Sequence, residues 1–481
     1  MSQAAALLTS TGDAGPPRTR GVVPVLAFSG IVVSLMHTLV IPLVPDLPRL
    51  LNASPADTTW AVTATLLAAA VATPVMGRLG DMYGKRRMLL ISLSILVAGS
   101  AITALAGSLI PMIIGRALQG LSGGVIPLGI SIMRDELPPE RLGAATATMS
   151  SSLGVGGALG LPAAALIAEN LSWHALFWTA AAVGSIALVL VFVYVPESPV
   201  RTGGRFDLIG AAGLSVALVC LLLVISKGAD WGWSSGLVLG LLTTAAVAGL
   251  TWSWWELRVA KRGRQPLVNL RTAARPQVLL TNLAAGALGV AVFGMSLVLP
   301  QLLQLPAATG YGLGQSMLVV GLVMAPQGLV MMSVSPLSAR VSRAWGPKVT
   351  LMIGAAVVAA GYGLGIVMMS AIWEIVLVSC VIGVGIGFTY GAMPALVMAA
   401  VPVTETAAAN SLNTLMRAIG TSASSAVIGV ILAQMTITFG GAAIPSLNGL
   451  RTVLAIAAGA ALVSLIIAAF LPRRHRPTVT R

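Results

Sequence analysis

Acidic side chains are scarce in this sequence: 14 Asp and Glu stand against 28 Lys and Arg in 481 residues, and all charged residues together make up 9% of the chain. That is too little charge to clothe a soluble core of this length, so a soluble globular fold is excluded. Cysteine is nearly absent. Cys220 and Cys380 both fall inside apolar runs, which leaves neither a disulfide framework nor a metal site. With three histidines and no H-E-x-x-H, the chain lacks the clustered acid, histidine or serine groups that an intramembrane enzyme would need. No phosphate loop G-x-x-x-x-G-K-[ST] occurs, and no segment outside the apolar runs is large enough to hydrolyse ATP. ATP hydrolysis is therefore not expected of the chain, and no cofactor is expected. A receptor would carry a sizeable soluble output segment, whereas the polar stretches 1–21 and 472–481 are short.

What the chain has in abundance is apolar length. Hydrophobic residues make up 57% of it and its mean hydropathy is +0.94. They recur in blocks of about 20 residues, the length that crosses roughly 30 Å of hydrocarbon, with no trace of the alternation of a β-barrel. An all-α membrane protein follows, its first apolar run too long and too poor in small residues at its end to be a cleaved signal. Fourteen spans are read, at about 22–44, 58–79, 88–107, 110–133, 143–167, 173–195, 208–226, 235–257, 277–304, 315–337, 349–371, 374–399, 411–438 and 451–471. The net charge of +14 would suit nucleic acid, but the cations sit in short loops between spans, so the partner is the bilayer. Arg49, Lys227 and Arg451 are assigned to outer loops, Arg116 alone to a span interior, and every other Lys and Arg to the inner side; both termini are then cytoplasmic.

Two loops carry more than charge. Gly77-Arg78-Leu79-Gly80-Asp81-Met82-Tyr83-Gly84-Lys85-Arg86-Arg87 joins the second and third spans. Gly77 allows a neighbouring helix to approach, Gly84 allows a left-handed turn, and Lys85, Arg86 and Arg87 hold the turn on the inner side. Asp81, alone among cations, can pair with one of them or with a helix N-terminus elsewhere in the bundle. A degenerate copy, Ala339 to Lys348, keeps Gly346 and Lys348 where the first loop has Gly84 and Arg86, with Arg343 in place of Asp81. The repeat implies two related six-helix halves.

The spacing G-x-x-x-D-x-x-G-x-R-R resembles the cytoplasmic loop signature of the major facilitator superfamily, and fourteen spans with an inserted pair resemble its fourteen-helix drug:proton antiporter branch. Trp60 to Ala64 opens the second span in the family manner, and Gly115-Arg116-Ala117-Leu118-Gln119-Gly120 resembles the fourth-span motif built on an arginine. Gly154, Gly156, Gly157, Gly160 and Pro162 resemble the antiporter motif G-x-x-x-G-P-x-x-G-G, departing from it in a proline one residue late and in Ala163, Ala164 and Ala165. Gly156 and Gly160, four apart, make one smooth face for a neighbouring helix, and Pro162 permits a bend.

The resemblance implies a major-facilitator fold divided into a tail (1–21), a six-helix half (22–195), an inserted helix pair (196–257), a basic linker (258–276), a second half (277–471) and a tail (472–481). It implies a plasma-membrane exporter of small amphipathic compounds such as antibiotics, driven by protons, with a monomer as the expected unit and no nucleic acid or metal. The fifth-span motif favours export over uptake or facilitated passage of a metabolite. Family members associate the arginine at position 116 with proton coupling. His37 lies at nearly the same depth in the first span, beside Met36, where the family often has an acid, so His37, Arg116 and Gln119 are expected to line one outer-half pathway. The depth assignment puts every acid at one membrane surface or the other and none at the midplane. Lipophilic cations need a buried carboxylate, so neutral or anionic amphiphiles are expected as substrates.

Overall fold

The computed structural model describes residues 21–40, 43, 46–440 and 442–472. Apart from Gly21 and Pro472, the two expected tails lie outside the described residues. Thirteen described helices are long and apolar enough to cross a membrane. A fourteenth, α1 (Val22–Thr38), is apolar but shorter.

In the first half α1 is followed by α2 (Trp60–Tyr83), α3 (Lys85–Ala104), α4 (Leu109–Glu136), α5 (Pro139–Asn170) and α6 (Trp173–Tyr194). The inserted pair is α7 (Leu208–Trp231) and α8 (Gly236–Lys261). The second half holds α9 (Pro276–Gln304), α10 (Met317–Trp345), α11 (Pro347–Val367), α12 (Ile372–Met398), α13 (Thr406–Gln434) and α14 (Leu447–Ala469). Helix starts carry the residues that satisfy free N–H groups: the Asp207, Ser235, Ser316 and Ser446 side chains each accept the N–H three residues on. Pro139, Pro276 and Pro347 occupy first turns, where no donor is lost.

The two halves pack alike. In the first, α1 lies on α5 and α6, α2 on α4, and α3 on α4 and α6; in the second, α9 lies on α13 and α14, α10 on α12, and α11 on α12 and α14. Each half has its own apolar core. The repeated loops match in detail. Gly84 and Gly346 both hold positive φ, 118° and 88°. Two residues beyond each glycine, Arg86 donates to the Phe192 carbonyl at 2.6 Å and Lys348 to the Ala469 and Leu471 carbonyls at 2.7 and 2.6 Å. Each basic residue thus caps the C-terminal end of the sixth helix of its own half.

The halves meet along α5, which packs on α10 and α12, and along α13, which packs on α2 and α4. Helix α7 lies over the seam between α2 and α13, joining Leu214 and Leu218 to Ala70 and Leu415 in a third apolar cluster, and α8 packs on its outer side.

Three expectations need adjustment. Lys227, assigned to an outer loop, belongs to the last turns of α7, where it is 3% exposed and donates to the Thr59 hydroxyl and to Asp230. The thirteenth span ends at Gln434 instead of 438, because Thr436–Phe439 pairs antiparallel with Ala442–Pro445 around Gly440 at φ 58°. Arg417, counted with the inner-side cations, stands inside α13, eleven residues beyond its start. The expected lower boundary of that span, 411, already contained it.

Candidate functional site

At the C-terminal end of α2, Asp81 is buried, 1% exposed, and its carboxylate crosses to the other half. The N–H groups of Ala407 and Ala408, in the first turn of α13, donate to it at 3.2 and 2.9 Å. These are donors that a helix leaves unsatisfied at its N-terminus, where the dipole also favours an anion. The glycine of the loop signature makes this approach possible: a methyl group on Gly77 would stand 2.8 Å from the Ala407 carbonyl oxygen. From α4, Arg134 donates to the Thr406 hydroxyl at 2.5 Å and to the Val401 carbonyl at 3.3 Å, a second tie between the halves on the same side.

The cations of the loop divide. Lys85, read from sequence as a surface charge, has no exposed side chain; it lies 3.9 Å from Asp81 and makes its shorter ion pair with Asp135 of α4, which also accepts the Ser198 hydroxyl. Burial of such an ammonium requires a carboxylate at contact distance, and Asp135 supplies it. Arg78 donates to Gln265 of the linker at 2.7 Å, Arg86 holds the end of α6, and Arg87 is exposed. Arg134, Asp135 and Ser198 were not singled out from sequence. The available signal was the Arg134-Asp135-Glu136 run, which places acids at the inner end of α4 at the same depth as Asp81.

Arg116 is 1% exposed. Its Nε donates to the Ala61 carbonyl at 3.1 Å, and one terminal nitrogen donates to the Met36 carbonyl at 3.1 Å and to Gln119 Oε1 at 2.7 Å. Gln119 in turn donates to Ser100 at 2.9 Å. The guanidinium thus ties α4 to α1 and α2 through backbone oxygens. His37 follows the carbonyl that Arg116 grips and lies within its electrostatic reach; its Nε2 is buried with no hydrogen-bond partner among the described residues. The structure therefore brings His37, Arg116 and Gln119 into one neighbourhood.

The glycines of α5 serve two contacts. On one side, methyl groups on Gly156 and Gly160 would stand 2.9 Å from the Leu35 nitrogen and 3.5 Å from the Leu35 carbonyl of α1, where Ser34 donates to the Leu153 carbonyl at 2.6 Å. On the other side Pro162 and Gly154 face α10: a methyl group on Gly321 would come within 2.7 Å of the Pro162 nitrogen, and one on Gly328 within 2.5 Å of the Gly154 carbonyl. The antiporter-type stretch is thus the close-packed seam between the halves as well as the seat of α1.

In the second half the Arg417 guanidinium lies 4.4 Å from the centre of the Tyr390 ring of α12, and Tyr390 is 6% exposed. Eleven residues of helix put Arg417 about 16 Å from the inner end of α13, near mid-membrane. Among the described residues no carboxylate forms an ion pair with it. One helical turn away, Asn413 donates to Asn282 at 3.0 Å.

The family model described as Major Facilitator Superfamily matches residues 26–425. The multidrug resistance protein Stp of Mycobacterium tuberculosis is 26% identical over 396 residues, covering 81% of this chain and 71% of that protein. The tetracenomycin C resistance and export protein of Streptomyces glaucescens is 27% identical over 423 residues, covering 85% and 75%. The solved structure of the human organic anion transporter MFSD10 (TETRAN) superposes with a TM-score of 0.65 at 16% identity, covering 94% of this chain and 100% of the other, a likeness of fold.

Proposed function

This chain belongs to the major facilitator superfamily, and we propose that it works as a secondary active exporter of small amphipathic compounds, coupled to protons and alternating between forms open to either side of the plasma membrane. The observation that carries the reading is the seat of Asp81 on the first turn of α13. A buried anion held by helix-end N–H groups is strong while it is shut and is released as one unit when the two helices part. Together with Arg134 it makes a gate on the cytoplasmic side, closed in this arrangement. Multidrug and antibiotic resistance proteins among the similar sequences support export.

The substrate preference is for neutral or anionic amphiphiles. Arg417 supports it: a cation near mid-membrane without a carboxylate partner leaves its charge to be balanced by what enters, and the Tyr390 ring beneath it offers an apolar face to the rest of an amphiphile. The proton is taken by His37, by a group on the substrate or by water. His37 is the titratable side chain of α1 and sits against the Arg116 cluster that joins three helices, so a change of charge there acts on the packing of the whole half.

Export of a panel matched in lipophilicity and differing in charge, measured in inverted vesicles with and without a pH gradient, tests both statements. Accumulation of neutral and anionic members that collapses with the gradient is expected. Accumulation confined to permanent dications, or unaffected by the gradient, refutes the substrate preference or the coupling respectively.

A further inference from the structure

The inserted pair holds two carboxylates that the proposed export path does not use. Asp207 begins α7 and is well satisfied: the Gly210 N–H donates to it at 2.9 Å and the Trp255 indole at 3.1 and 3.0 Å. Glu256, near the inner end of α8, is 1% exposed, and neither of its oxygens accepts a hydrogen bond. The Trp252 indole and the backbone N–H groups of Leu267 and Val268 lie around it without completing one. The two acids share one space. A methyl group on Gly210 would stand 2.5 Å from an oxygen of Asp207 and 2.6 Å from an oxygen of Glu256, so only glycine at that position leaves room for both.

Two carboxylates on either side of one glycine, one of them buried and unpartnered, do not both keep a negative charge at low cost; a proton taken up in that space removes the repulsion and gives Glu256 the O–H donor it lacks. The charged groups that face Glu256 are Asp207 from α7 and Arg78 from α2, the latter also within reach of Asp81 and Glu405. The linker contributes backbone N–H groups, which suit an anion or a carbonyl oxygen better than a metal cation.

We propose that Asp207 and Glu256 form a proton-binding site in the inserted helix pair, filled from the cytoplasm, whose occupancy sets how tightly the linker is held against the inner gate. The linker is already bolted there. Gln265 accepts from Arg78, and Asn269 and Thr272 donate to Glu405 at 3.0 and 3.1 Å just before α13; Gln265 also donates to the carbonyl of Thr202, a residue ahead of α7 whose N–H donates to the Asp81 carbonyl at 2.8 Å. Leu267 and Val268, 1% and 7% exposed, press on the same place. An ionised Glu256 draws the Leu267 and Val268 N–H groups toward it, and a protonated one lets them go. The proton changes hands between water and a carboxylate oxygen, with no other bond made or broken. This site lies outside the export path, and its existence does not depend on what is exported.

Infrared difference spectra of the whole protein in bilayers, recorded across a pH titration, read the site directly. The wild type is expected to gain the carbonyl stretch of a protonated carboxylic acid on acidification, and Glu256→Gln to lose that band. Asp207→Asn, which removes the neighbouring charge and keeps the side-chain shape, is expected to shift the band's midpoint to lower pH by about one unit or more; it serves equally if Glu256→Gln does not fold. Hydrogen exchange at residues 265–268, corrected for the intrinsic effect of pH, should quicken at least threefold on acidification in the wild type and stay quick in Glu256→Gln. A band unchanged in Glu256→Gln, a midpoint unmoved in Asp207→Asn, or linker protection indifferent to pH overturns the proposal.

Discussion

The Asp81 carboxylate receives the Ala408 amide at 2.9 Å, joining residues 327 positions apart and belonging to opposite halves of the molecule. Hydrogen bonds to a charged group contribute about 1.5–3 kcal/mol each, enough to bias a two-state gate by roughly tenfold or more. Asp81→Asn is therefore expected to cut transport at least tenfold while substrate binding stays within about twofold of wild type. Parallel binding and transport on one preparation decide it; binding that falls in step with transport refutes the gating role.

Gly77 is the steric condition for the same contact. In Gly77→Leu the added side chain meets the Ala407 carbonyl and Ser411, and the inner ends of α2 and α13 should stand farther apart. Spin labels on those ends are expected to show the cytoplasmic-closed distance depopulated, with thermal stability lowered by no more than the 1–3 kcal/mol typical of overpacking. A distance distribution like that of the wild type would refute this.

Arg417→Gln removes the mid-span charge. Efflux of anionic members of a charge-matched panel is expected to fall at least tenfold and that of neutral members less than threefold. Arg417→Lys should restore only part of the anion efflux, since an ammonium stacks less well on Tyr390 than a planar guanidinium. Equal loss across the panel would make Arg417 structural.

Arg116 holds carbonyls on two other helices, so charge alone does not replace it. Arg116→Lys keeps the cation but cannot reach Ala61, Met36 and Gln119 together in the same geometry. Thermal stability in detergent is expected to drop by the equivalent of about 3–5 kcal/mol, the range seen when a buried charged group loses its partners. An unchanged melting temperature would argue that the arginine stands free in a wet pathway.

The membrane fold was legible because hydrocarbon forces it: an apolar block of spanning length has few other destinations. The first loop was legible to the residue, since Gly77, Asp81 and Gly84 each answer a local demand of close approach, an anion and a left-handed turn. The match of Gly346 and Lys348 to Gly84 and Arg86 could be read from spacing alone, and the structure gives it a common purpose in capping the sixth helix. Partnerships were harder to read. Lys85 looks like any positive-inside residue until Asp135, 50 positions away, is brought against it. Arg417 was legible as a span residue, since the expected span begins at 411, and was lost only by being grouped with the inner-side cations; its Tyr390 partner, on another helix, carries no mark in the sequence. Glu256 was read only as one more acid near a span end, and nothing in the sequence shows that Leu267 and Val268 fold back beside it.

Helix α7 lies across the seam of α2 and α13, and the opposite seam, between α5 and α10, is drawn shut by Gly154, Gly321 and Gly328. Both seams between the halves are thus covered or closely packed. On the exporter reading proposed above, a compound lodged beside either seam meets packed helix in this form. The inserted pair then stands as a weatherboard over one joint between the halves, and the glycines facing each other from α5 and α10 caulk the other.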